Sequence, residues 1–250
     1  MTVAGGGRLA VRESGPEGAP PVVLVHGWAQ TGAVWGDLPG FRCYAVDLRG
    51  HGESDDFGDY RDSAAWAADL RAVLGHTGPA TVVGWSYGGL VIADYLRFHG
   101  TADVTALVLA GAITEIGRGR RGGETGPVMR AALPGAITDD EVLAEFCRAM
   151  APGLPESTVG ELTAAAVSVG PKVRGKLFRR DVGSADVLTA VDVPTLVVHG
   201  AEDRVVAPAA AEYSAALIPG AELSLYPDTA HAPFLERPEQ FAHDLARVAR

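Results

Sequence analysis

Ser86 stands in Gly84-Trp85-Ser86-Tyr87-Gly88, a serine bracketed by glycines two residues away on each side. The apolar run Thr81-Val82-Val83 leads into it, and a helical pattern beginning at Leu90-Val91-Ile92 leads out. A serine on a sharp strand-to-helix turn exposes its hydroxyl for attack on an electrophilic carbon. Glycines at 84 and 88 suit a place where strand and helix backbones come too close for a Cβ. A helix starting at the serine also aims N–H groups and its positive dipole end at developing negative charge. The plainer reading, a Gly-rich turn with an incidental serine, would fit the five residues alone but is weakened by the strand before and the helix after.

A serine hydroxyl is a weak nucleophile and needs a base within hydrogen-bond reach. Seven histidines compete for that role. His76 and His99 fall near helix C-terminal ends, where an imidazole can satisfy free carbonyls. His243 falls on a polar helix face and His51 in a loop. His26 and His199 each end a strand just before a glycine, near the rim where sites form. His231, in the loop Asp228–Phe234 after the last strand, approaches from beyond the carboxyl ends of the strands, where ligand sites of parallel sheets collect. It also completes the chain order serine, acid, histidine. The acid is expected from a loop after an intervening strand. His199–Val206 offers Glu202 and Asp203, and position alone does not separate them. The place after the strand at Ala106–Leu109 reads Ala110-Gly111, with no carboxylate. An oxyanion would need two backbone N–H groups: Tyr87 offers one, and Trp28, after the strand Val22–Val25, the other.

The elements that must hold these residues alternate. Strand-length apolar runs fall at Arg8–Glu13, Val22–Val25, Tyr44–Val46, Thr81–Val83, Ala106–Leu109, Thr195–Val198 and Glu222–Tyr226, with helical patterns at Ser63–Leu74, Tyr87–His99, Ala207–Leu217 and Pro238–Ala249. This reads as α/β with a largely parallel sheet covered on both faces. The short turn Ser14–Pro20 suggests that the first two strands pair antiparallel. Alternation breaks over 112–186, where Leu143, Phe146, Cys147 and Met150 share one helical face and Val159, Leu162, Ala166 and Val169 another. That segment reads as a helical cap inserted into a core made of 1–111 and 187–250, with Gly117–Gly123 as a mobile loop. The cap carries ten acids and ten bases, while the rest of the chain holds 21 acids against 11 bases.

The net charge of −10 argues against nucleic acid as a partner. No run reaches the length of a membrane span, and the N-terminus lacks the pattern of a signal peptide. Cys43 and Cys147, far apart among apolar neighbours, read as buried thiols in a cytoplasmic protein. No metal or other cofactor is implied, since no His/Cys/Asp cluster has ligand spacing. The expected partner is a small-molecule substrate, with room left for a homo-oligomer.

The chain resembles the α/β-hydrolase superfamily across nearly its whole length, and within it the cofactor-free bacterial chloroperoxidases (perhydrolases), aryl esterases and enol-lactonases. The resemblance rests on His26-Gly27-Trp28 with Trp35, Asp47–Ser54 (DLRGHGES), Gly84–Gly89 (GWSYGG), Gly200–Val206 (GAEDRVV) and His231–Pro238 (HAPFLERP). It implies a mostly parallel eight-stranded sheet flanked by helices, and it selects Asp203 over Glu202 as the acid. It also implies that Asp47–Ser54 is a structural turn. Ala230 departs from the glycine many relatives have before the histidine, and a small backbone adjustment is expected there. Ser86 argues against relatives that use an aspartate nucleophile. The expected chemistry is cleavage of a carboxylic ester or lactone by Ser86, His231 and Asp203, with Trp28 and Tyr87 forming the oxyanion hole. Trp28, Leu143, Phe146 and Met150 are the expected substrate contacts. Carbon–carbon bond hydrolysis and perhydrolysis are alternatives for the same triad, and a non-catalytic ligand receptor on the same fold is a third.

Overall fold

The computed structural model describes residues 1–3 and 6–249. Its centre is a sheet of seven strands: β1 (Val11–Ser14), β2 (Pro21–Val25), β3 (Arg42–Val46), β4 (Ala80–Trp85), β5 (Val104–Ala110), β6 (Thr195–Gly200) and β7 (Glu222–Tyr226). The spatial order is β1-β3-β2-β4-β5-β6-β7, with every neighbouring pair parallel except β1 with β3. Every residue of β4 and of β6 is buried, as strands covered on both faces require.

Two expectations about the sheet change. The described residues form seven strands, not eight; near the N-terminus Thr2 and Arg8 make only an isolated antiparallel bridge. The first strand is antiparallel but pairs with β3, not with β2. Val22–Val25 are fully buried and have parallel partners on both edges, so β2 has no free edge to offer. Two strand spacings are only about 10 Å, a gap that the connection from Ser14 to Pro21 spans while β3 lies between.

The helices are α1 (Ser63–Thr77), α2 (Tyr87–His99), α3 (Pro127–Ala136), α4 (Asp140–Met150), α5 (Glu156–Ser168), α6 (Pro171–Lys176), α7 (Ala185–Thr189), α8 (Pro208–Leu217), α9 (Pro233–Glu236) and α10 (Pro238–Val248). Asp62 caps α1 by accepting the Ala64 N–H at 2.9 Å, and Asp139 caps α4 through the N–H groups of Glu141 and Val142. Between β5 and β6 the chain is helical, and both apolar stripes read from the sequence are buried.

The segment Gly117–Gly123 is anchored rather than free. Arg121–Gly123 form a 3₁₀ turn, Gly122 donates to the Glu115 carboxylate at 3.0 Å, Arg120 pairs with Asp181 at 2.8 Å, and Arg121 lies over the Tyr213 ring. Asp47–Ser54 is a turn locked by its own side chains. Asp47 accepts the Gly32 N–H at 2.6 Å and the Glu53 N–H at 2.9 Å, and Ser54 donates to the Asp47 carbonyl at 2.6 Å. Cys43 and Cys147 are free and buried, and burial pushes both thiols up to about 11. Among the described residues no helix is long and apolar enough to cross a membrane.

Candidate active site

β4 ends at Trp85 and α2 begins at Tyr87, so Ser86 alone makes the turn. It does so with φ 53° and ψ −120°, on the left-handed side that a residue with a Cβ rarely adopts. The surroundings impose that conformation. Ser86 N–H donates to the Ala110 carbonyl at 3.2 Å, and its carbonyl accepts from Gly89 and Ile113 at 3.1 and 3.0 Å. A Cβ on Gly88 would run into the Val25 carbonyl, and one on Gly27 would lie 2.9 Å from Ser86 Cβ. The glycine of the elbow and the glycine after His26 are therefore steric requirements.

The loops after β6 and β7 bring an acid and an imidazole together. His231 Nδ1 and Asp203 Oδ2 are 2.8 Å apart, both side chains buried. Asp203 Oδ1 accepts the N–H groups of Val205 and Val206 at 2.8 and 3.0 Å. Burial would raise the Asp203 carboxyl, but His231 and His199 beside it win and hold it well below the usual carboxylate range. Glu202, its neighbour in the chain, is exposed. The two carboxylates that sequence position left equal thus have opposite surroundings.

The backbone around His231 is fixed from three sides. Its N–H donates to the Met150 carbonyl at 3.0 Å, and its carbonyl accepts the Trp85 indole N–H at 2.8 Å. The Glu236 carboxylate accepts the N–H groups of Ala230 and Ala232, at 2.8 and 2.9 Å. Trp85 and Glu236 carry no signal of their own in the sequence, although one stands beside the serine and the other within HAPFLERP. Ala230 is not among the residues with positive φ, so no glycine is needed before the histidine.

The remaining histidines go elsewhere. His76 is exposed and lies 3.1 Å from Glu13, and His243 is exposed. His26 and His51 are buried with ring centroids 5.1 Å apart. Burial holds His26 well below its ordinary value and His51 at about 4, so both rings are neutral in the folded protein. His26 nonetheless touches the site indirectly: its Nδ1 lies 2.8 Å from the Gly27 carbonyl, and its Nε2 accepts the Leu48 N–H at 3.0 Å.

Ser86 opens on a cavity of about 160 Å³ whose floor includes Trp28 and Tyr87. The Trp28 side chain is tied away, its indole N–H donating to the Arg174 carbonyl at 3.0 Å. Tyr87 is tied too: its hydroxyl donates to the Leu177 carbonyl and accepts from Arg180, both at 3.1 Å. Their backbones are what remain. The Trp28 N–H has no acceptor among the described residues, and the Tyr87 N–H belongs to the first turn of α2, where helical N–H groups lack partners.

The roof differs from the expected one. Leu143, Phe146 and Met150 do not line the cavity. Leu143 and Met150 are buried in packing, and Phe146 reaches the site only through Trp28, ring edge to face at 5.6 Å. The side chains over Ser86 come from Ile113 and Ile116, from Met129 and Leu133 of α3, and from Phe178 after α6. Val205 and Val206 close one wall. The stripe on α4 marks a buried face, but its side chains pack outside the cavity. Among the described residues no group of three or more His, Cys, Asp or Glu side chains is arranged to hold a metal ion.

The model of the alpha/beta hydrolase family matches residues 22–244. The non-heme chloroperoxidase CPO-A1 of Kitasatospora aureofaciens is 32% identical over 232 residues, covering 84% of each chain. A pimeloyl-[acyl-carrier protein] methyl ester esterase of Vibrio vulnificus is 29% identical over 245 residues, covering 92% of this chain and 94% of that protein. Among solved structures, the esterase RhEst1 from Rhodococcus sp. ECU1013 superposes with a TM-score of 0.94 at 41% identity, covering 98% of this chain and 96% of that one.

Proposed function

The chain belongs to the α/β-hydrolase family and is a hydrolase; we propose that it cleaves small, uncharged carboxylic esters or lactones through an acyl-enzyme on Ser86. The observation that carries this reading is a strained serine opening on an apolar cavity, with a buried carboxylate–imidazole pair held beside its elbow. His231 takes the Ser86 proton as the oxygen attacks the carbonyl carbon. Asp203 holds the imidazole with Nδ1 protonated, leaving Nε2 to act as base, and stabilises the imidazolium. The N–H groups of Trp28 and Tyr87 receive the oxyanion. The imidazolium then protonates the leaving alkoxide, and water, deprotonated by the same imidazole, hydrolyses the acyl-serine.

Residues 112–186 act in this reading as the cap that selects the small-molecule substrate, through Ile113, Ile116, Met129, Leu133 and Phe178. A cavity of 160 Å³ is close to the roughly 150 Å³ that accepts benzene in an apolar protein interior. The group seated there is thus compact, of about six carbons at most. Among the described residues no Lys, Arg, Asp or Glu side chain lines it, so a charged acyl group would lose its hydration without gaining a partner. A long pimeloyl chain on a protein carrier, the substrate named for the Vibrio relative, is a poor fit to that space. The test is a panel of p-nitrophenyl esters graded from acetate to decanoate, with lactones alongside. Rates should peak at compact neutral acyl groups and fall steeply beyond about six carbons. A preference for decanoate would reject the size argument, and failure of a fluorophosphonate to modify Ser86 would reject the nucleophile.

The chloroperoxidase relatives support a second reading for the same acyl-enzyme. Hydrogen peroxide in place of water would release a peracid, which oxidises halide in a later step. Bromination that depends on both acetate and peroxide, and is lost in Ser86→Ala, would demonstrate it.

A further inference from the structure

His199, the penultimate residue of β6, is fully buried and stands four residues before Asp203. Its Nε2 lies 3.1 Å from Asp203 Oδ2 and 3.1 Å from the Val206 carbonyl oxygen. Both neighbours are acceptors, so this nitrogen must carry the proton; the hydrogen bond goes to the Val206 carbonyl, with Asp203 Oδ2 beside it at the same distance. Its Nδ1 is buried with no partner among the described residues. An aliphatic residue like its strand neighbours Leu196, Val197 and Val198 would fill this place without orphaning a polar atom, and hydration lost without replacement costs stability. Asp203 therefore accepts three hydrogen bonds, from the Val205 and Val206 N–H groups on Oδ1 and from His231 on Oδ2, and has the His199 Nε2–H as a fourth donor at 3.1 Å from Oδ2. Val206 is gripped twice, its N–H by Asp203 and its carbonyl by His199.

We infer that His199 is a positioning residue for the acid: its Nε2–H fixes Asp203 Oδ2 toward His231 and draws charge from it, restraining how strongly the carboxylate stabilises the His231 imidazolium. This rests on the triad reading above. An over-stabilised imidazolium would hold its proton and leave less free base at a given pH. Two other carboxylates lie near. Glu236 is bound to the main chain on either side of His231, and Glu202 is exposed; the exposed Arg204 follows Asp203. None of these forms a hydrogen bond or ion pair with His199, whose ring meets Asp203 and the Val206 carbonyl.

Removing the donor leaves more charge on Oδ2, favours the imidazolium and moves the acidic limb of kcat/KM to higher pH. In His199→Leu that limb should rise by about half a pH unit, a threefold change in the proton equilibrium. The plateau kcat should fall severalfold with little change in KM. His199→Gln, whose amide N–H₂ can occupy the Nε2 position, should return the limb toward the wild-type pH. A residue that only fills space would lower the melting temperature and leave the limb in place in both variants. Nitrogen-15 NMR of the wild type provides a test that needs no variant: the His199 ring should carry a proton on Nε2. A bare Nε2, or a limb unmoved in a folded His199→Leu protein, overturns the inference. Asp203→Asn, assayed in parallel, separates the two levels. If it stays active the triad reading itself fails, whereas if it is inactive while His199→Leu keeps the wild-type limb, only the role of His199 is rejected.

Discussion

Asp203→Asn is the substitution whose consequence the structure fixes most closely. The two side chains have nearly the same shape, but the carboxylate accepts on both oxygens and the amide on one only. In the native site all four neighbours are donors, two backbone N–H groups at 2.8 and 3.0 Å and two imidazole nitrogens at 2.8 and 3.1 Å. If the amide oxygen keeps the backbone pair, its NH₂ faces His231 Nδ1–H and His199 Nε2–H, donor against donor. His231 relieves the clash by moving its proton to Nε2, which removes the lone pair needed to take the Ser86 proton. Triads elsewhere lose about 10⁴ in kcat from this wrong tautomer, equivalent to about 5.4 kcal/mol of barrier. The four-donor cage gives no reason for a smaller effect here. The assay is kcat and KM with p-nitrophenyl acetate for the wild type, Asp203→Asn and Glu202→Gln, with unfolding curves to establish that each is folded. KM should stay within a few-fold and kcat should collapse in Asp203→Asn only. A folded Asp203→Asn protein keeping a tenth or more of wild-type kcat would refute the argument, as would a larger loss in Glu202→Gln.

Further outcomes can be checked on the same preparations. Ser86→Ala should lower kcat by on the order of 10⁶ with an unchanged circular dichroism spectrum. Phe178→Ala and Leu133→Ala should widen the cavity and shift the preference toward longer acyl chains, by roughly tenfold to a few hundredfold per methylene accommodated, read as ratios of kcat/KM. Leu143→Ala and Met150→Ala should instead cost about 2–5 kcal/mol of stability in urea unfolding and keep the parental chain-length profile. Stability should also fall as pH drops below about 6.5, the value for an unperturbed histidine, because His26 and His51 stay neutral in the fold but take up protons once unfolded. Their folded values are lowered, so the unfolded state binds more protons in this window and stability rises with pH, by up to about 1.4 kcal/mol per unit for each ring. For His51 the window closes near pH 4. His51→Gln should remove about one proton's worth of that slope in urea midpoints measured between pH 5 and 6.5.

The roof of the cavity shows where reading from sequence stops. The α4 stripe of Leu143, Phe146 and Met150 was legible because apolar residues three and four apart must share a helical face. Burial of that face was legible too, but not what it would face. The helix that does contribute to the roof, α3, carries Pro134 inside it and Gly135 after that, residues that argue against a helix in a local reading. Phe178 belongs to no periodic pattern at all. Likewise β1 was expected beside β2, its neighbour in the chain, whereas sheet order depends on which strand edges remain free once β2, β3 and β4 have paired. Arg180 is a similar case: its burial against Asp94 at 2.6 Å and Tyr87 joins segments 86 and 93 residues apart.

The sequence by itself determined the elbow and the order of parts around it. Steric demands at Gly84, Ser86 and Gly88 act over a few bonds, and the succession of strand, turn and helix follows from local period, so both are written in adjacent residues. It also placed His231 and the pair Glu202/Asp203 on loops at the same rim, since parallel strands present their carboxyl ends together. Only the tertiary structure gave Asp203 its four donors while leaving Glu202 in solvent, brought His199 to the same carboxylate, clamped His231 between Trp85 and Met150, and left about 160 Å³ above Ser86. Those features arise from contacts between segments distant in the chain. Burial, charge and cavity size are properties of the space between elements, and no single element's spacing encodes them.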